Sequence, residues 1–169
     1  MKEILKAGDS RGFTMIEIIA VLVVLSVLSA FVVNRIISTA STDRIVQESA
    51  IKSHIRYAQA TAMKQGTIWG IKCNGTDYWL FTTNDPDTLS NKRVLPGEEN
   101  VQVTLADKRI TMSNFTVFFD VDGRPYTAYT DASTNTPVST ANPISITVDS
   151  YPADIPVTFG ITPETGFMP

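Results

Sequence analysis

Residues 10–33 read SRGFTMIEIIAVLVVLSVLSAFVV, and this stretch decides how the chain is organised. Between Ile18 and Val33 the only polar residues are Ser26 and Ser29, and from Phe13 to Val33 the sole charge is Glu17. As a helix rising 1.5 Å per residue, such a run has about the length needed to cross a bilayer. Glu17 is the anomaly. A carboxylate at the bilayer centre costs roughly 2.5–3.5 kcal/mol on insertion scales, and less near the interface or beside a partner. Some interaction outside the segment has to offset that cost.

Working outward, the N-terminal flank carries Lys2, Lys6 and Arg11 against Glu3 and Asp9, a net +1. The whole chain is −3, which leaves −4 on the remainder. A positive flank stays cytoplasmic, and this sends the C-terminal bulk across the membrane. A mildly acidic domain on the far side offers nucleic acid no electrostatic attraction. The apolar run is longer than the hydrophobic region of an ordinary signal peptide, and no good small-x-small cleavage site lies around Val27–Ser29. The polar leader ending in Gly12 is the better candidate for removal.

Beyond the apolar run, residues 34–65 contain no Gly and no Pro, and Gly66 then arrives as a stop. One helix is therefore expected from Phe13 to about Gln65, roughly 80 Å long. Its second half carries two apolar lines. Ile51, Ile55, Ala58 and Ala62 share one face, while Val46, Ala50, Tyr57 and Ala60 lie nearly opposite. The first line can cover a sheet. The second either meets another partner, such as neighbouring copies, or leaves small residues partly exposed.

From Thr67 the texture becomes that of strands. TIWGIKC and DYWLFTT flank Asn74-Gly75, a strong hairpin signal. After the loop NDPDTLSN come KRVLP, NVQVTL and FTVFFD, then the turn VDGRP at 121–125. DASTNTPVSTANP reads as a polar surface loop, and ISITVDS and VTFGITP complete the sheet before a last turn at Glu164-Thr165-Gly166. The fold class is α+β: a long N-terminal helix, half transmembrane and half amphipathic, packed on an antiparallel β-sheet domain of six to eight strands. The organisation is a leader at 1–12, a transmembrane assembly helix at 13–37 and a globular domain at 38–169 that includes the second half of the helix.

Enzymatic chemistry finds little support. The single histidine, His54, falls beside the Ile51/Ile55 line and reads as a helix-surface or interface residue. No nucleophile elbow, phosphate-binding loop or His/Cys metal spacing is present, so no cofactor or metal is expected. Asp120 and Asp122 in DVDG resemble the start of a calcium loop but lack its terminal Glu, and a plain Asp-Gly turn is the simpler reading. Cys73 is alone, so no intramolecular disulfide can form, and it reads as a small buried apolar residue in a strand.

The opening stretch, RGFTMIEIIAVLVVLSVLSAFVV, resembles the class III signal of type IV pilins and type II secretion pseudopilins. The likeness lies in the short basic leader, Gly12, Phe13 after it and Glu17 as fifth residue of the mature chain, with Met15 where leucine is commoner. It implies a pilin-like fold and no enzymatic activity. A membrane-embedded prepilin peptidase would cut between Gly12 and Phe13 and N-methylate Phe13. Glu17 would meet the cationic amino terminus of a neighbour as helices bundle into a filament on an inner-membrane assembly platform.

The later segments IRYAQATAMKQG, FDVDGRP, ISITV and ITPETGFMP resemble the GspH/FimT-type minor subunits and minor pilins of mannose-sensitive-haemagglutinin pili. Partners would then be other pilin or pseudopilin subunits, and the location the inner membrane with the C-terminal domain periplasmic, followed by the filament. Two alternatives stand beside this reading. One is a DNA-binding minor pilin of natural transformation, against which stands the absence of any Lys or Arg after Arg124. The other is an uncleaved bitopic membrane anchor.

Overall fold

A computed structural model describes residues 13–150 and 155–169, with side chains described outside 30–43. One α-helix, α1, spans Met15–Gln65. Among the described residues ten strands follow: β1 Trp69–Cys73, β2 Asp77–Thr82, β3 Lys92–Arg93, β4 Val103–Thr104, β5 Ile110–Met112, β6 Phe115–Phe119, β7 Pro125–Tyr129, β8 Asn135–Pro137, β9 Ile144–Ser150 and β10 Val157–Ile161. The chain divides into two units, Met1–Ile36 and Ile37–Pro169. The α+β class holds. The strands, however, form two antiparallel sheets rather than one. The larger runs β3-β2-β1-β6-β7-β8 with β4 also on β2, and the smaller runs β10-β9-β5.

The end of α1 follows from Gly66. Its φ is +63°, and its N–H reaches the Ala62 carbonyl at 2.9 Å, a left-handed stop that a Cβ would strain. Ile51, Ile55, Ala58 and Ala62 are all buried, so the first apolar line is the one that packs. They join a core with Trp69, Ile71, Tyr78, Leu80, Val117 and Phe119 from the large sheet and Ile146, Val148 and Phe159 from the small one. Val46 and Tyr57 on the opposite line remain exposed. Gln59 binds the helix to two later turns, donating to the carbonyls of Gly123 and Thr165 at 2.8 Å each.

Strand β2 is apolar without alternation because both faces of the large sheet are covered. Tyr78 and Leu80 face the main core. Trp79 and Phe81 join Phe118 in a second cluster, with Ile68, Tyr126 and Tyr129 packed against it. The loop after β2 is tied down there, since Trp79 Nε1 donates to the Pro86 carbonyl at 2.6 Å and Lys92 Nζ lies 3.9 Å from the Trp79 ring centroid.

Gly70 makes this second cluster possible. It pairs with Phe81 on one side and Phe118 on the other, and the two rings meet edge-on at 5.1 Å. A Cβ on Gly70 would lie 2.2 Å from the Val117 carbonyl oxygen and 2.5 Å from Phe81 Cζ. Gly70→Ala is therefore expected to destabilise the domain by about 1–3 kcal/mol, because strand backbone and ring must both give way. Thermal unfolding followed by far-UV circular dichroism measures it, and an unchanged Tm would contradict the packing described.

Of the two positions expected of His54, helix surface or interface, the structure shows the second: it is buried where the helix meets the rest of the domain. Only 6% of it is exposed. Nε2 lies 3.1 Å from the Pro96 carbonyl, which can only accept, so the proton sits there and Nδ1 accepts from the Tyr78 hydroxyl at 3.2 Å. Burial holds the imidazole below its ordinary pKa, opposed by the Pro96 bond and Glu98 and assisted by Lys108. The folded chain thus keeps His54 neutral where the unfolded chain takes up a proton. Stability should fall as pH drops below about 6.5 and through the lower folded value. As the only histidine, His54 can be tested by the Tm slope between pH 7 and 6, which should flatten in His54→Phe.

The remaining differences concern strands. β5, β7 and β8 were not expected, and β8 lies inside the stretch that reads as a polar surface loop. The Asn74-Gly75 hairpin is as expected with a one-residue-longer loop, and Asn74 Oδ1 accepts from the N–H groups of Thr76 and Asp77. Cys73 is buried in β1, and burial pushes its thiol pKa up. Asp120 is consumed by its turn. Oδ1 accepts from Asp122 N and Arg124 N at 3.0 and 2.8 Å, and Oδ2 from the Tyr126 hydroxyl at 2.8 Å. The hydroxyl's own pKa is pushed up to about 12 by burial and by that bond.

Candidate functional site at the helix start

Thr14 stands immediately before α1 and caps it. Its Oγ1 accepts from Glu17 N at 3.3 Å, and Glu17 Oε2 accepts from Thr14 N at 3.4 Å. This reciprocal pair is a capping box, in which Ser or Thr and a Glu three residues on satisfy two of the donors a helix start leaves open. The signal lay in Thr14-Met15-Ile16-Glu17, and reading Glu17 for its charge alone misses it. The acidic side chain also lies in the first turn, where the helix dipole favours it.

Around this cap the surface is apolar on every side. Phe13 is 80% exposed, Met15 83% and Ile16 76%, and every described side chain from Phe13 to Ser29 is exposed. The two serines are satisfied within the helix. Ser26 Oγ donates to the Val23 carbonyl and Ser29 Oγ to the Leu25 carbonyl, each at 2.7 Å. A helix apolar all round, with its hydroxyls turned inward, has no stable state in water on its own. The transmembrane half expected at 13–37 is not found in the structure: among the described residues no helix is long and apolar enough to cross a membrane.

The structure therefore places Phe13 and Glu17 together at one helix start. Gly12, the rest of the stretch 1–12 expected to be a leader, and the expected cleavage bond between Gly12 and Phe13 lie outside the described residues. Among the described residues no cluster of three or more His, Cys, Asp or Glu is arranged to hold a metal ion.

Residues 8–33 match the family model of the prokaryotic N-terminal methylation motif. That match supports a type IV pilin-like or pseudopilin family. It covers Gly12, Phe13, Glu17 and the apolar run, the same residues that carry the resemblance in the sequence. No curated protein and no solved structure matches the chain. The narrower likeness to GspH/FimT-type and mannose-sensitive-haemagglutinin minor subunits draws no support from these comparisons.

Proposed function

We propose that this chain is a minor pilin or pseudopilin, a structural subunit that enters a type IV pilus or a type II secretion pseudopilus through its N-terminal helix. One observation carries the reading: the methylation motif opens a helix whose described start is apolar on all sides, with a single carboxylate in its first turn. A prepilin peptidase removes residues 1–12 by cutting between Gly12 and Phe13, and Phe13 is N-methylated. Residues 13–37 hold the chain in the inner membrane as a single pass, and the domain at 38–169 lies in the periplasm until the subunit joins the filament.

Glu17 is the assembly residue. It faces the Phe13 ammonium of a neighbouring subunit, so two charges that lipid cannot solvate neutralise each other. The exposed line of Val46 and Tyr57 then lies toward neighbouring subunits. Partners are the other filament subunits, the peptidase and the inner-membrane assembly platform. The test is to shear or purify filaments from cells expressing the tagged chain with its assembly machinery, and to probe them for it. Its presence in substoichiometric amounts supports the minor-subunit reading. Its confinement to the membrane fraction while filaments form normally would overturn it.

A further inference from the structure

Among the described residues, one sheet edge in this fold is left open. Ser113 N donates to the Thr147 carbonyl at 3.0 Å, so the backbone groups of Thr147 point toward β5, and those of Ile144, Ile146 and Val148 point toward β10. These three residues pair with Ile161, Phe159 and Val157. Thr158 and Gly160 must then direct their N–H and C=O groups away from β9. The next outward residue, Thr162, confirms the alternation, since its N–H is taken by the Phe167 carbonyl at 2.8 Å. Among the described residues the four outward groups of Thr158 and Gly160 have no hydrogen-bond partner.

The other edges are blunted. β8 ends at Pro137, β3 and β4 have two residues each, and Ile110 N on β5 is taken by the Leu105 carbonyl. β10 has neither charge nor proline within VTFGI. Its slot is bounded by Pro156 at one end and by Phe167 beside Thr162 at the other. Just beyond those ends stand two exposed apolar side chains, Ile155 at 77% and Phe167 at 60%.

We infer that β10 is a strand-addition interface whose occupant is β10 of a second copy, paired antiparallel about Phe159. The outward groups are symmetric about that residue. Thr158 of one copy therefore meets Gly160 of the other, and the reverse pair forms as well, satisfying all four groups in each chain. A five-residue strand fills a five-residue slot. The same register brings Ile155 of each copy toward Phe167 of the other. A backbone edge without charged side chains recognises another such edge, and the chain carries one. This inference does not depend on the filament reading.

The test uses the full chain in detergent micelles. Hydrogen exchange at low and high protein concentration should show Thr158 and Gly160 amides slowing as concentration rises, with sedimentation reporting a dimer over the same range. Gly160→Pro removes an outward N–H without touching the β9 ladder, a substitution that edge strands tolerate. It should weaken dimerisation about tenfold or more, because each copy loses one bond. Gly160→Ala, whose Cβ meets only the Ile144 carbonyl at 3.5 Å, should leave it intact. Concentration-independent exchange at these two amides in the wild-type chain would overturn the proposal. So would a dimer that Gly160→Pro leaves unchanged, or a chain that stays monomeric yet captures a synthetic peptide of residues 155–161.

Discussion

Glu17→Ala is expected to leave membrane insertion and leader cleavage intact and to abolish, or nearly abolish, incorporation into filaments. Replacing the carboxylate makes the helix more apolar, so insertion is normal or better. The proposed cut between Gly12 and Phe13 is five residues upstream of the change at most. What fails is packing between subunits. A Phe13 ammonium left without its counter-charge in a low-dielectric setting costs on the order of 3–5 kcal/mol. The measurement is crosslinking to other subunits in membranes, with secretion or piliation scored in parallel.

The capping box supplies the control for that experiment. Glu17→Gln keeps an acceptor for Thr14 N and so retains the cap while removing the charge. If the Ala defect came from the lost cap, Gln would behave as wild type, because its amide oxygen still accepts from Thr14 N. A charge-pairing defect makes Gln and Asp intermediate between Glu and Ala. A subunit at a filament tip lacks one neighbour, so a partial Ala phenotype points to the tip and a complete one to the shaft. Normal crosslinks and normal function in Glu17→Ala would refute the pairing role.

The second large effect concerns the leader. Gly12→Glu is expected to keep the chain at full length, because a bulky, charged side chain beside the scissile bond is sterically excluded. Gly12→Ala should be cut in part, since the residue stays small. Immunoblotting in peptidase-positive cells distinguishes leader-bearing from mature chain by mobility. Uncut Gly12→Glu chain should also be missing from filaments, because its Phe13 nitrogen is still an amide and offers Glu17 no charge. Efficient cleavage of Gly12→Glu would move the processing site elsewhere.

The helix was legible in the sequence from its two ends inward. Thirty-two residues without Gly or Pro before Gly66 bound it, and the Ile51/Ile55/Ala58/Ala62 spacing identified the face that packs. The Asn74-Gly75 hairpin was equally local. What could not be read depends on contacts distant in sequence. β7 begins at Pro125 and β8 is the polar triplet Asn135–Pro137, so neither alternates like a half-buried strand; each exists because β6 offers β7 an edge, and β7 in turn offers one to β8. The split into two sheets likewise rests on β9 pairing with β5 and β10 instead of continuing from β8.

His54 shows the same limit in one residue. A histidine beside an apolar line reads as either surface or interface until Tyr78 and the Pro96 carbonyl, both distant in sequence, arrive to satisfy its ring nitrogens. At the candidate site, motif and charge pointed to Phe13 and Glu17. The bond between Glu17 and Thr14 was written in the Thr-x-x-Glu spacing, but the charge drew the reading away from it.

The central claim, that this is a prepilin-type filament subunit, is tested most directly by the intact mass of the chain purified from membranes of cells that express a prepilin peptidase. The account predicts loss of residues 1–12 and the gain of one methyl group on Phe13, with the full-length mass retained when the peptidase is absent. A full-length, unmethylated chain in peptidase-positive cells would contradict it.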